Sequence, residues 1–145
     1  MKKMLMVSFV ALFLLSGCSI DQRAGMVDYV KTTVRYTNMV NHLVNNIPSL
    51  ALKATSDQQS KTTLEKNLNN VKSELQKYNE MIPPRRAEEI HQNMTNYNKT
   101  VESEINSYLK QIKKGNFDPK VFQTPAFTKT IQEMLKLRDQ AQQLA

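Results

Sequence analysis

Apolar residues recur along most of this chain at alternating spacings of four and three residues, and this pattern limits the folds open to it. The clearest run has no break in the spacing and comprises Leu64, Leu68, Val71, Leu75, Tyr78 and Ile82. Such spacing places the side chains on one face of an α-helix, as in the seam of a coiled coil. Because a helix must bury its apolar face against another element, the spacing predicts a bundle of helices.

A first helix is predicted over residues 26–47, with its stripe at Met26, Val30, Thr33, Thr37, Val40, Val44 and Ile47. β-Branched residues at alternate positions also fit a strand, but some twenty residues without a turn signal are too many for one. Pro48 is expected to end or kink this helix. Residues 48–55 are left open between helix and loop, and residues 19–25 are expected to form a short polar leader.

The remaining helices are predicted from their caps. Ser56 and Gln59 match a capping box that would start the second helix, and Pro83 and Pro84 would end it. The third helix is predicted over residues 86–114, with Gly115 as a left-handed C-cap. Its predicted buried stripe is Ile90, Met94, Tyr97, Val101, Ile105, Tyr108 and Ile112.

Two Pro-containing motifs follow the third helix. In each motif a capping residue precedes a proline at the first position of a helical turn, and the two pairs are Asp118 with Pro119 and Thr124 with Pro125. The last helix is predicted to turn inward Phe127, Ile131, Met134, Leu135, Ala141 and Leu144. We therefore predict an all-α antiparallel bundle of three to four amphipathic helices that forms a single domain over residues 26–145.

The N terminus carries a different pattern. Lys2 and Lys3 precede an uncharged apolar run over residues 4–15, which is typical of a secretory signal and short for a membrane span. The run ends in Leu15-Ser16-Gly17-Cys18. This tetrapeptide resembles the bacterial lipobox, in which the cysteine sulfur receives a diacylglyceryl group and the chain is cut just before it. We predict a signal peptide over residues 1–17, and a lipidated Cys18 with a short tether over residues 18–25.

Charge and cysteine content agree with export. The chain has a formal charge of +7, and from Cys18 onward it has 18 basic and 13 acidic residues, a net charge of +5. We interpret this surplus as ordinary solubility charge, with attraction to anionic lipid headgroups or wall polymers as the alternative. Nucleic acid is not an expected partner of an exported protein. Cys18 is the only cysteine, and acylation accounts for this otherwise lone thiol.

The chain lacks the motifs of common catalytic sites, so no enzyme and no cofactor are predicted. There is no Gly-x-Ser-x-Gly elbow and no glycine-rich phosphate loop. Glu88 and His91 share a helix face and match half of a di-iron Glu-x-x-His pair, but His42 has no glutamate three residues before it. No metal site is therefore predicted, and both histidines are expected at the solvated surface.

Arg85 and Arg86 form the one candidate binding site outside the N terminus. Cations at a helix N-terminus oppose the helix dipole, and two guanidinium groups beside free amides would bind a phosphate or carboxylate. The alternative, which we favour, is that Glu88 and Glu89 partner them one turn on. The five tyrosines are expected at the edges of the core with their hydroxyls in water.

Several short motifs, together with the lipobox, resemble a family of small uncharacterised lipoproteins of Bacillus-type Gram-positive bacteria. They are Asn46-Ile47-Pro48-Ser49-Leu50, Pro83-Pro84, Ile90-His91-Gln92, Asn96-Tyr97-Asn98 and Gly115-Asn116-Phe117-Asp118-Pro119. The resemblance spans the chain after the signal and implies an outer-leaflet location without a known activity. The Arg85-Arg86 pair departs from the more acidic or apolar continuation expected after the two prolines.

Three functions follow from these patterns, in decreasing order of support. The first is a membrane-anchored binding or scaffold module for another envelope component, held by diacylglyceryl-Cys18 on the extracytoplasmic face of the cell membrane. The second is an anion receptor that uses Arg85 and Arg86. In the third, residues 10–17 of the signal are released as a peptide pheromone. The sequence leaves the oligomeric state open.

Overall fold

The computed structural model describes the backbone of residues 19–145 and the side chains from Gly25 onward. The lipobox and the rest of the predicted signal peptide lie outside these residues. Four helices make up the fold: α1 (Ser19–Ala54), α2 (Gln58–Asn79), α3 (Glu88–Lys113) and α4 (Pro125–Gln142). Single-turn 3-10 helices at Arg85–Ala87 and Val121–Gln123 precede α3 and α4. The part of the chain described here contains no strand.

The four helices run up, down, up and down around one core. Helix α1 packs against α2 and α4, and α3 packs against the same two helices on the other side. The start of α1, the α2–α3 corner and the end of α4 therefore meet at one end of the bundle, which we call the anchor end. The α1–α2 corner and the α3–α4 connection form the opposite end. This arrangement confirms the predicted all-α antiparallel bundle.

Helix α1 is longer than predicted at both ends. It begins at Ser19, so residues 19–25, which were predicted to form a short polar leader, are helical, and it continues through Pro48 to Ala54. A proline inside a helix removes one backbone hydrogen bond and costs about 3 kcal/mol. On both sides of Pro48 the helix contributes buried core residues, with Ile47 before it and Ala51 and Ala54 after it. This burial offsets the cost, so residues 48–54, which the sequence left open, are helix, and of the two alternatives for Pro48 the end of the helix is excluded.

Helix α2 has the predicted seam but different ends. Asp57, not Ser56, is its N-cap, and the Asp57 carboxylate accepts a hydrogen bond from the Ser60 amide at 2.7 Å. A carboxylate at this position also complements the helix dipole. The five buried seam residues are Leu64, Leu68, Val71, Leu75 and Tyr78. Ile82, the sixth predicted member, is 94% exposed because α2 ends at Asn79 and the helical period stops there.

The ends of α3 and α4 follow their predicted caps closely. Gly115 has a φ of 72°, and its amide donates to the Ile112 carbonyl while the Asn116 amide donates to the Gln111 carbonyl. This pair of bonds is a Schellman motif. Thr124 caps α4 through the Phe127 amide at 3.3 Å, with Pro125 as the first helical residue.

Two predicted core faces are shifted. In α4 the buried residues are Phe127, Ile131, Met134, Leu137 and Ala141, whereas Leu135 and Leu144 are only half-buried. In α3 Ile90 and Tyr97 are half-buried, and the polar residues His91 and Asn98 occupy the buried positions beside them. The large core spans all four helices, and a smaller cluster at the anchor end comprises Met26, Tyr29, Val30, Ala87 and Ala141.

Candidate functional site

The densest group of polar side chains lies inside the bundle, in the half nearer the anchor end. The Tyr78 hydroxyl is 2.9 Å from the Tyr29 hydroxyl and 3.1 Å from Thr33 Oγ1. Thr33 Oγ1 also donates to the Tyr29 carbonyl at 2.9 Å. All three residues are buried, so each hydroxyl exchanges water for a protein partner. These bonds join α1 to α2.

A second chain of hydrogen bonds reaches α3. The Tyr36 hydroxyl donates to Asn98 Oδ1 at 2.6 Å, and Asn98 Nδ2 donates to Asn79 Oδ1 at 2.7 Å. Asn98 is fully buried in the centre of the bundle. Both ends of its amide therefore have partners, one on α1 and one on α2. We call the residues of the two chains, together with His91, the polar cluster: Tyr29, Thr33, Tyr36, Tyr78, Asn79, His91 and Asn98.

Aromatic rings hold the polar cluster in place. Tyr78 stacks between Tyr36 and His91, with ring centroids 4.4 Å and 5.0 Å apart and interplanar angles of 19° and 26°. Tyr29 is tilted against both Tyr78 and His91. His91 is 8% exposed, and its Nδ1 has no hydrogen-bond partner. Stacking rather than hydrogen bonding therefore accounts for most of the contacts of this imidazole.

The titratable groups of the polar cluster are uncharged near pH 7. Burial raises the pKa values of Tyr29, Tyr36 and Tyr78 above that of a free tyrosine, so all three stay protonated. Burial lowers the pKa of His91, and an interaction with the Asn79 backbone partly opposes this. His91 is thus neutral near pH 7. Closely packed, uncharged groups that bond to one another fix which helix faces meet.

These positions correct two predictions. His91 is buried rather than solvated, whereas His42 is exposed as expected. The hydroxyls of Tyr29, Tyr36 and Tyr78 bond to protein groups, and the three residues are buried rather than open to solvent. The sequence did carry a signal for this result. The buried positions of the 3-10 turn and α3 alternate spacings of four and three without a break, and they are Ala87, His91, Met94, Asn98, Val101, Ile105, Tyr108 and Ile112.

Arg85 and Arg86 lie at the α2–α3 corner at the anchor end, and both are exposed. Among the residues with described side chains, the ion pairs are Lys77–Glu74, Lys136–Glu133 and Arg138–Asp139. The expected pairing of Arg85 and Arg86 with Glu88 and Glu89 is therefore not formed. Anion binding by the two arginines stays a prediction.

A shallow cleft of about 420 Å³ runs between α1 and α4. Asn41, Asn45 and Pro48 line it on one side, and Phe122, Gln132 and Leu135 on the other. None of its lining residues is charged. Its chemistry suits a neutral or apolar group, and it does not match the anion receptor considered from the sequence.

Within residues 25–145, no three His, Cys, Asp or Glu side chains are grouped closely enough to hold a metal ion. A helix with the length and hydropathy of a membrane span is likewise absent from the described residues. The polar cluster, the Arg85–Arg86 corner and the cleft are thus the candidate sites outside Cys18. Cys18 itself lies outside the residues that the structure describes.

Comparisons with known proteins agree with the sequence analysis. An uncharacterised lipoprotein of Bacillus subtilis strain 168, YybP, is 27% identical over 136 residues, which cover 93% of this chain and 92% of the relative. No solved structure matches. A family profile matches residues 29–144, which include all but the first turns of the bundle. The resemblance to small uncharacterised lipoproteins is confirmed, and the chain belongs to the family of unknown function DUF6376.

Proposed function

We propose that this protein is a lipoprotein whose helical bundle is held on the extracytoplasmic face of the cell membrane by diacylglyceryl-Cys18. The observation that carries the proposal is the Leu15-Ser16-Gly17-Cys18 tetrapeptide after a basic and then apolar segment. A single acyl chain gives only marginal membrane binding, whereas two chains give a lasting anchor. The lipoprotein relative supports the same assignment.

The bundle serves as a binding or scaffold module for another component of the envelope. Helix α1 begins at Ser19, directly after the proposed anchor, and continues without interruption into the core. A continuous helix transmits the position of the anchor to the bundle more rigidly than a flexible linker does. The exposed Arg85–Arg86 corner and the cleft between α1 and α4 offer binding surfaces. This arrangement fits a scaffold module that holds its partner at a fixed distance from the membrane.

Acyl labelling in cells tests the anchor. Wild-type protein is expected to incorporate labelled fatty acid, and Cys18→Ser is expected to incorporate none, because a hydroxyl is a much poorer nucleophile than a thiolate. Lipoprotein signal peptidase should also leave the Cys18→Ser precursor uncut. A wild-type protein without label, or a labelled Cys18→Ser protein, would disprove the anchor.

Cross-linking in intact cells tests the binding role. A photoreactive residue at exposed positions of the bundle should yield a reproducible adduct with an envelope component. Recovery of the monomer alone, at native abundance and from several exposed positions, would count against a binding or scaffold module.

A further inference from the structure

Positive charge is concentrated at the end of the bundle opposite the anchor end. We define the distal tip as residues 47–65 and 106–131, which are the outer turns of the four helices and their two connections. These ranges hold seven lysines and three acidic residues, a net charge of +4, of the +5 carried from Cys18 onward. The seven are Lys53, Lys61, Lys110, Lys113, Lys114, Lys120 and Lys129. The sequence does not show this concentration, because the lysines lie on all four helices and on the α3–α4 connection.

The lysines of the distal tip are available to a partner. Six are exposed and Lys61 is half-buried. The three ion pairs among the described side chains all lie outside the distal tip, so none involves these lysines. The three acids are already counted in the net charge of +4, and two of them bond to backbone amides and not to a lysine side chain: Asp57 to the Ser60 amide and Asp118 to the Lys120 amide. The positive field of the tip is therefore little compensated locally.

The residue types indicate the class of partner. The distal tip contains no arginine, although the chain has arginines at five other positions. Arginine forms the planar fork that recognises a single carboxylate or phosphate with two bonds, whereas lysine is a mobile point charge. Seven mobile charges spread over a rounded end suit a flexible chain that carries a negative charge on each repeat. They suit a small anion or a rigid binding pocket less well.

The distance of the distal tip from the membrane argues against lipid headgroups as its partner. Helix α1 has 36 residues, and at about 1.5 Å per residue it is roughly 54 Å long. With α1 upright, the distal tip lies several Debye lengths from the bilayer, since the Debye length is about 8 Å at physiological ionic strength. We infer that the distal tip binds a linear anionic polymer outside the membrane. This inference rests on the proposed anchoring of the bundle and names the class of its partner.

The test uses the acylated mature protein, which begins at Cys18, in vesicles of phosphatidylcholine, with fluorescent long-chain polyphosphate as the probe. Co-flotation of protein with the vesicles reports the anchor, and fluorescence anisotropy of the probe reports polymer binding. The two readouts fail independently, so a failed anchor and a failed polymer site are distinguishable. Wild-type protein is expected to bind the probe, with orthophosphate at the same phosphate concentration competing poorly.

Matched variants locate the site. The distal variant carries Lys53→Gln, Lys61→Gln, Lys120→Gln and Lys129→Gln and is expected to bind the probe at least tenfold more weakly. The control variant removes four positive charges that lie outside both the distal tip and the Arg85–Arg86 corner: Lys31→Gln, Arg35→Gln, Lys72→Gln and Lys99→Gln. It should bind within about twofold of the wild type. An equal loss in both variants, or a loss only in the control, would overturn the proposal.

Salt dependence keeps the proposal testable if a variant fails to fold. For single-stranded nucleic acid, a flexible phosphate polymer, the logarithm of affinity falls with the logarithm of salt concentration by about 0.7 per neutralised phosphate, and we take this slope for polyphosphate. Wild-type binding should therefore have a slope near −3 or steeper if at least four lysines take part. No binding, or a slope near zero, would overturn the proposal. So would loss of polymer binding when phosphatidylglycerol is added to the vesicles, or a cross-link from the tip to an acidic protein instead of a polymer.

Discussion

Asn98 offers the sharpest test of the polar cluster, since its amide bonds to α1 at one end and to α2 at the other. Asn98→Ala leaves the Tyr36 hydroxyl without its acceptor inside the core. A buried unsatisfied group costs about 1–3 kcal/mol. Asn79 is half-buried, so water can replace its lost bond at lower cost. We expect Asn98→Ala to lower the free energy of unfolding by about 2–3 kcal/mol, a large part of the roughly 5–15 kcal/mol of a typical domain.

A double-mutant cycle separates this loss from a simple change in volume. Tyr36→Phe strands the Asn98 oxygen, so it should also be destabilising on its own. In Tyr36→Phe/Asn98→Ala neither buried group is left unpaired. The double variant should therefore be less destabilised than the sum of the single variants, by about 1–2 kcal/mol.

The assay is urea unfolding of the fragment that begins at Ser19, followed by circular dichroism at the helical band. Asn96→Ala is the matched control, because Asn96 is exposed on the same helix. It should change stability by no more than about 0.5 kcal/mol. Equal stability of Asn98→Ala and Asn96→Ala, or strict additivity in the cycle, would refute the reasoning.

Three further predictions follow from burial and backbone geometry. Leu68→Asp should unfold the domain, because Leu68 is fully buried and an unpaired charge there costs several kcal/mol, while Ile82→Asp should melt like the parent. Gly115→Ala should destabilise by about 1–2 kcal/mol at its φ of 72°, whereas Gly25→Ala inside α1 should stabilise by about 0.5–1 kcal/mol. Burial lowers the pKa of His91 from 6.5, so the unfolded chain binds more protons near pH 6. The stabilising contribution of neutral His91 should therefore be complete above about pH 6.5 and be lost as the pH falls below this value. The parent's melting temperature should fall between pH 7 and pH 5, whereas that of His91→Gln should stay constant. A fall of the same size in both proteins would show that His91 is not the cause.

Helix positions were predictable where one local signal dominated. The seam of α2, the Gly115 cap and the Thr124–Pro125 start each depend on residues within one or two turns, so the sequence alone located them. The capping box at Ser56 was wrong by one residue, because Asp57 is the N-cap and its carboxylate both accepts from the Ser60 amide and complements the helix dipole. Division of the chain into signal, tether and bundle stays a prediction, since Cys18 and the residues before it lie outside the described part.

The sequence by itself determined the class of fold, the lengths of α2 and α3 to within about four residues, and the family to which the chain belongs. Only the tertiary structure decided that α1 runs through Pro48, because the compensation comes from burial of Ile47, Ala51 and Ala54 against other helices. It also decided that His91 and Asn98 face inward, since their polarity argues for solvent until partners on α1 and α2 come within reach. The tertiary structure also brings lysines that are more than seventy residues apart in the chain, such as Lys53 and Lys129, onto the one basic surface of the distal tip. Contacts between distant segments have no signature in local spacing, so only the packed bundle places them together.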